Sequence, residues 1–286
     1  MTAHGPIVPE SLRDDFAAKG YVVLRQFYDV ARDIVPIQED IRAIVALLCG
    51  KYGIDAPTGT SREAMTQAYM ALIAKNRAWG GEVYDAVKQI PAFMQLVADK
   101  RNADFFTLLR PGSKPGLAAN GYGIRIDNPG EEKFRAQWHQ EFPSQLRSLD
   151  GIVFWTPLVP VTADMGPVQI AEGSHAEGLV PVYVDDAGVG KSGAYALHLD
   201  RADERVARYP KVAPLTEPGD LVLMDFLTLH QSGYNVSQVP RWSIQSRYFN
   251  FAEPTGIRIG WKGSFAAGVK FEDVLPELLV KREDAA

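Results

Sequence analysis

The sequence predicts an α+β fold, a jelly-roll sandwich of short antiparallel strands with N-terminal helices packed on one face. Three observations carry this. Apolar residues recur at helical spacing up to about residue 100. After Pro111 the chain breaks into short β-type runs separated by Gly, Pro, Asn and Asp. No internal repeat or low-complexity tract interrupts that order. With 286 residues and 46% hydrophobic content the chain can bury a large core. A single domain over 1–286 is expected, with a helical support region at about 30–100 and the jelly-roll core at about 121–262.

The elements follow in order. Leu12, Phe16 and Ala17 give Val8 to Lys19 a helical period, and Gly20 stops it as a C-terminal glycine does. Tyr21 to Leu24 is aromatic and β-branched, hence a strand. Ile37, Ile41, Ile44, Val45 and Leu48 set a helix from Asp33 to Cys49, with Pro36 in its first turn. Thr60 and Glu63 have capping-box spacing ahead of a helix from Ala64 to Asn76. Further helices are expected at Gly81 to Lys88 and Pro91 to Lys100. Strands are expected near Gly121 to Ile126, Ala136 to Glu141, Gly151 to Pro157, Val168 to Ile170, Asp220 to Phe226, Arg241 to Phe251 and Arg258 to Trp261. The glycine-rich Asp185 to Ala194 lacks the flanking strand and spacing of a phosphate loop and is read as a loop.

Composition removes several function classes. A net charge of −5 leaves no excess of Lys and Arg to neutralise phosphates, so nucleic acid is not an expected partner. No run of about 18 apolar residues exists to span a bilayer. The first thirty residues show no basic, apolar and small-residue succession of a secretory signal, and Cys49 is the only cysteine. A cytoplasmic location is the expectation, with a small-molecule partner and an oligomeric state left open.

Chemistry concentrates at two histidines and one strand. In Gln137-Trp138-His139-Gln140-Glu141, a period of two places Gln137, His139 and Glu141 on one face. Alone, His139 and Glu141 are equally a solvated pair on an exposed strand. His230 follows the apolar run Leu221 to Phe226 and is placed either in a cavity or in the core. Two imidazoles and one carboxylate make the facial set that leaves iron positions open. The strand from Arg241 to Tyr248 turns Trp242, Ile244 and Tyr248 to one side and Arg241, Ser243, Gln245 and Arg247 to the other. That polar side is either solvated or the wall of a ligand cavity. As a wall, the Arg241 fork with the Ser243 hydroxyl suits a carboxylate, so an anionic co-substrate is the natural occupant.

These residues resemble the phytanoyl-CoA dioxygenase family of Fe(II) and 2-oxoglutarate oxygenases. Phe16 to Arg25 is similar to the family's opening helix and strand, His139-Gln140-Glu141 to its His-x-acid motif, and His230 to its second histidine. Arg241 stands where the family's 2-oxoglutarate arginine falls, and Gly166 to His175 resembles a stretch that usually ends in Pro-Gly-Ser-His. Glu172 replaces the usual Pro, and Glu141 replaces the usual Asp, adding a methylene without changing oxygen ligation. The helical stretch from about Val30 to Lys100 matches no motif.

The resemblance implies a double-stranded β-helix (jelly-roll, cupin-like) core, iron held by His139, Glu141 and His230, and 2-oxoglutarate held by Arg241 and Ser243. Gln137 and Trp155 would line the co-substrate pocket. Oxygen and 2-oxoglutarate would be consumed to hydroxylate a C–H bond, releasing succinate and CO2. Halogenation is set aside because Glu141 keeps the carboxylate. His175 is expected as a turn histidine, with His198 and His4 at the surface or in loops. Arg125, Asp127, Arg135 and Arg247 are candidates to meet a charged substrate, with Arg125 and Arg135 equally read as solvated loop or strand residues, and a lid is expected from the helical region and the loop from Asp185 to Glu204. A cupin-like metal protein or isomerase without 2-oxoglutarate, or a non-catalytic relative, are the competing readings.

Overall fold

The computed structural model describes residues 10–57, 62–184, 197–263 and 269–280. Helix α1 (Glu10–Lys19) ends at Gly20, whose φ of 75° only glycine adopts freely. A Cβ there would also collide with the side chains of His175 and Thr228, so Gly20 admits a close chain crossing as well as a turn. Strand β1 (Tyr21–Leu24) follows at once. A π-helical turn (Val30–Ile34) capped by Asp29 leads into α2 (Val35–Tyr52), which buries Ile37, Ile41, Val45 and Cys49 and closes at Gly53. Helices α3 (Arg62–Lys75), α4 (Trp79–Val87), α5 (Pro91–Val97) and α6 (Lys100–Leu109) complete the helical layer. The helix expected from Pro91 to Lys100 ends at Val97, and α6, which was not expected, starts at Lys100. Asp99 turns extended, and its side chain caps α6 through Arg101 N.

The strands of the second half are β2 (Pro115–Leu117), β3 (Gly123–Asp127), β4 (Gly151–Pro157), β5 (Val168–Ala171), β6 (Val182–Tyr183) and β7 (His198–Leu199). They continue with β8 (Lys211–Val212), β9 (Leu221–Asp225), β10 (His230–Ser232) and β11 (Arg241–Asn250). Short helices α7 (Glu141–Gln145), α8 (Ala202–Val206) and α9 (Pro254–Ile259) intervene. Two expected strands are corrected. Ala136 to Glu141 contributes only the isolated bridge of His139 to His230 before α7 begins. Arg258 to Trp261 belongs largely to α9, which starts at Pro254 under a Glu253 cap and stops at Gly260.

The main sheet is six-stranded, ordered β1-β9-β4-β11-β2, with β3 also paired to β11. A smaller sheet, β10-β5-β8, is antiparallel like the first, and the His139 bridge extends its edge. Alternation assigns the faces. Ile152, Phe154, Leu221, Leu223, Trp242 and Ile244 pack against Ile37, Val45, Val83, Phe93 and Phe106 of the helices. Val153, Trp155, Val222 and Met224 point the other way and cluster with Val168 and Ile170 of the smaller sheet. The main sheet is thus buried on both faces, a helical layer behind it and a sandwich interior in front. Among the described residues no helix is long and apolar enough to cross a membrane.

Candidate metal centre

His139, Glu141 and His230 come together inside the sandwich, and their ligating atoms all lie within 4.8 Å of one another. The backbone builds this. His139 N donates to His230 O (3.0 Å) and His230 N to His139 O (3.1 Å), so the imidazoles sit side by side with ring centroids 4.3 Å apart. Glu141 N donates to Phe226 O (2.8 Å), which fixes the start of α7 against the end of β9.

Both rings are oriented by carbonyl groups. His139 Nδ1 lies 2.7 Å from Gln137 O, and His230 Nδ1 lies 2.9 Å from Thr228 O. A carbonyl only accepts, so each Nδ1 carries a proton, the tautomer that leaves Nε2 of a neutral ring as the lone-pair atom facing Glu141. Burial, with His230 beside it, pushes the His139 imidazole down to about 3, leaving it in the neutral, ligating form. Glu141 is also buried, which alone would favour its neutral form. Arg247 and the two histidines outweigh burial and hold its carboxyl well below the usual range.

Glu141 Oε2 stands 3.6 Å from His230 Nε2 and 3.8 Å from His139 Nε2. It has no hydrogen-bond partner among the described residues. A buried carboxylate oxygen left bare between two imidazole lone pairs is the arrangement that a divalent cation completes. The side chain between the ligands turns away, Gln140 donating to Gly178 O and Leu227 O and accepting from Val180 N.

The three residues open onto a cavity of about 960 Å³. Its wall includes Gly81 and Tyr84 of α4 and Lys88 just after it, Arg125 of β3, Trp155 of β4, Ser232 of β10, and Gln245 and Arg247 of β11. The polar side of β11 therefore faces the interior. Arg241 and Ser243, on the same side, are 1% and 0% exposed and lie just behind the wall. Arg241 Nη2 donates to Asp127 Oδ2 (2.7 Å) and to Ser232 Oγ (3.2 Å). Arg125 Nε donates to the same Asp127 carboxylate. Arg241 Nε and Nη1 and Ser243 Oγ are buried without a partner among the described residues. Two bare guanidinium donors of Arg241 beside a bare hydroxyl are the complement of one carboxylate.

Trp155 is on the wall. Gln137 is not: its side chain is exposed and is held by Glu132 and Arg135, because the chain around it is an irregular segment rather than a strand. His175 Nε2 lies 2.9 Å from Ala17 O and ties the Gly-Ser-His turn to α1, far from any ligating role. His198 stacks on Tyr183 in the β6–β7 pair. His4 and most of the expected loop lid, residues 185–196, lie outside the described residues.

Sequence reasoning missed the contact of Arg247 with Glu141, the pairing of Asp127 with Arg241, and the contribution of α4 to the wall. The two acid–arginine pairs span more than a hundred residues each, and no local pattern signals them.

Over residues 16–243 the chain matches the sequence profile of phytanoyl-CoA dioxygenase (PhyH). A search of curated proteins by sequence gave no match. Among solved structures it is similar to EctD from S. alaskensis with 2-oxoglutarate and 5-hydroxyectoine, at 19% identity and a TM-score of 0.56 over 88% of this chain and 79% of that one. It is also similar to the epimerase SnoN in complex with Fe3+, alpha ketoglutarate and nogalamycin RO (19% identity, TM-score 0.56, 87% and 88% covered). A third, EvdO2 from Micromonospora carbonacea var. aurantiaca complexed with 2-oxoglutarate, is 16% identical with a TM-score of 0.52, over 87% and 94% of the chains. At these identities the likeness is one of fold.

Proposed function

The chain belongs to the phytanoyl-CoA dioxygenase family, and on that premise we propose that it is an Fe(II)- and 2-oxoglutarate-dependent oxygenase acting on a small molecule. The observation that carries the reading is the bare Glu141 Oε2 facing two imidazoles whose Nδ1 atoms are tied to carbonyls. In this reading His139, Glu141 and His230 hold the iron, and Arg241 with Ser243 holds the far carboxylate of 2-oxoglutarate. When bound, iron and 2-oxoglutarate together supply oxidation of a C–H bond by oxygen, with succinate and CO2 as co-products.

The protein's own contribution is positional. The two bridged histidines set the iron against the sandwich interior, and Trp155 walls the space beside it. Arg241 Nε and Nη1 and Ser243 Oγ would supply the donors that the co-substrate's second carboxylate needs. The helical layer supplies wall through α4, so the reading treats the chain as one catalytic unit. Two of the similar structures are complexes with 5-hydroxyectoine and with nogalamycin RO. Here the wall sets Lys88, Arg125 and Arg247 among Asn120, Gln145 and Gln245 and the rings of Tyr84 and Tyr122. Arg125 and Arg247 are engaged by Asp127 and Glu141, so Lys88, whose partner Asp85 is largely exposed, is the cation left for an anionic group on a small polar substrate hydroxylated at a carbon near the three residues.

The test is calorimetric titration of 2-oxoglutarate into the iron-loaded protein without oxygen. Iron-dependent binding is expected, lost in His139→Ala and weakened about tenfold or more in Arg241→Ala, the scale of a lost charged hydrogen bond. Equal 2-oxoglutarate binding with and without iron in all three proteins would refute the reading.

A further inference from the structure

We propose that Arg247 is a positioning residue for Glu141, holding it as a one-oxygen metal ligand, and that the glutamate and the arginine work as a matched pair. This rests on the metal-site reading above and deepens it.

Arg247 Nε donates to Glu141 Oε1 at 2.9 Å, between side chains that are 15% and 2% exposed. The other oxygen, Oε2, is the one facing His139 and His230. The two oxygens are thereby given different tasks. The guanidinium is itself held, Nη2 donating to Gln245 Oε1 (2.7 Å) and Nη1 to Gly121 O (3.4 Å). Its strand is fixed in register on both edges, Gln245 standing opposite Trp155 of β4 and Gly123 of β3.

A carboxylate with two free oxygens can close on a metal through both and take up a position needed elsewhere. One oxygen committed to a charge-assisted hydrogen bond cannot. Length is what makes this possible. The Glu141 backbone is anchored by Phe226 O, and an aspartate is shorter by about 1.5 Å, one C–C bond. From the same backbone position it cannot both reach the metal and keep Arg247. The Glu at this position is therefore matched to Arg247 on β11.

The test is titration of the full chain with Co(II), reading the dissociation constant and the visible spectrum. The proteins are the wild type, Arg247→Met, Arg247→Lys, Glu141→Asp and the Glu141→Asp, Arg247→Met double variant. Arg247→Met is expected to weaken Co(II) by about 10- to 100-fold, the usual loss when a ligand's hydrogen-bonded partner is removed, and to change the spectrum. Arg247→Lys keeps the buried charge, and so the fold, and recovers part of the affinity. Glu141→Asp loses a similar factor, and the double variant is no weaker than the weaker single, as a shared interaction requires.

Wild-type affinity and spectrum in Arg247→Met, or losses that multiply in the double variant, would overturn the pairing while leaving the metal site standing. Failure of the metal site itself looks different: the wild type binds no Co(II), or His139→Ala and His230→Ala bind it as well as the wild type.

Discussion

At the scale of single residues, the account turns on buried charges that satisfy one another only in groups. Asp127 is buried, which would favour its neutral form, yet Arg125 and Arg241 hold its carboxyl below the usual carboxylate range. Asp127→Ala would leave two guanidinium groups facing each other in a buried site. It is expected to destabilise the fold by about 3–5 kcal/mol, read by urea unfolding. A loss below about 1 kcal/mol would show that the cluster is solvated and not the charged pocket described above. The three candidate ligands were legible in the sequence, because His139, Glu141 and His230 stand in segments that resemble the family's motifs in order, and the structure brings them together. Gln137 was misplaced because a period of two was extended through a segment that is not a strand. His139 and Glu141 nevertheless meet, since the bridge to His230 and the start of α7 put them on the same side.

At the scale of elements, β11 carries the site on one side and the fold on the other. Its alternation was readable from Arg241 to Tyr248, but whether the polar side met water or a cavity was decided only by the smaller sheet in front of it. On the opposite side Tyr248 donates to Val97 O at 2.7 Å, and burial pushes its phenol up to about 12. The folded state then holds that proton more tightly than the unfolded chain, whose phenol titrates near about 10. Stability is full below about pH 10 and is lost as pH rises towards about 12, by at most about 1.4 kcal/mol per pH unit for this group. Tyr248→Phe is expected to flatten that alkaline limb in unfolding curves, while Tyr28, raised by the same cause, keeps part of it. An unchanged limb would contradict the assignment.

Helix α4 gives a second test. Gly81 lines the cavity, and an added Cβ would meet nothing within 4 Å. A glycine inside a helix costs about 0.5–1 kcal/mol relative to alanine. Gly81→Ala is therefore expected to raise stability by about that much in denaturant unfolding, at the expense of cavity space. A fall in stability would mean that packing, not open space, requires the glycine. The helices from Val35 to Val97 were visible as periods and α6 was not; the contribution of the helices to the wall was also hidden, because it arises where α4 meets β3.

At the scale of the whole molecule, the main sheet divides two apolar clusters, and the cavity opens on the side away from most of the helices. The succession of helical and then β-type periods was enough to predict this layering. Short strands such as β6, β7 and β8 carry two residues each and leave no periodic trace, so they emerged only with the structure. The central claim is that this interior couples iron, 2-oxoglutarate and oxygen. The measurement that tests it most directly is succinate formation from 2-oxoglutarate in air with Fe(II) and ascorbate, across a panel of anionic metabolites, comparing the wild type with His139→Ala and Arg241→Ala. Succinate that requires iron and both residues, and rises with particular metabolites, is the predicted result. Metal binding by the wild type with no succinate from any member of the panel and no binding of 2-oxoglutarate would contradict the account.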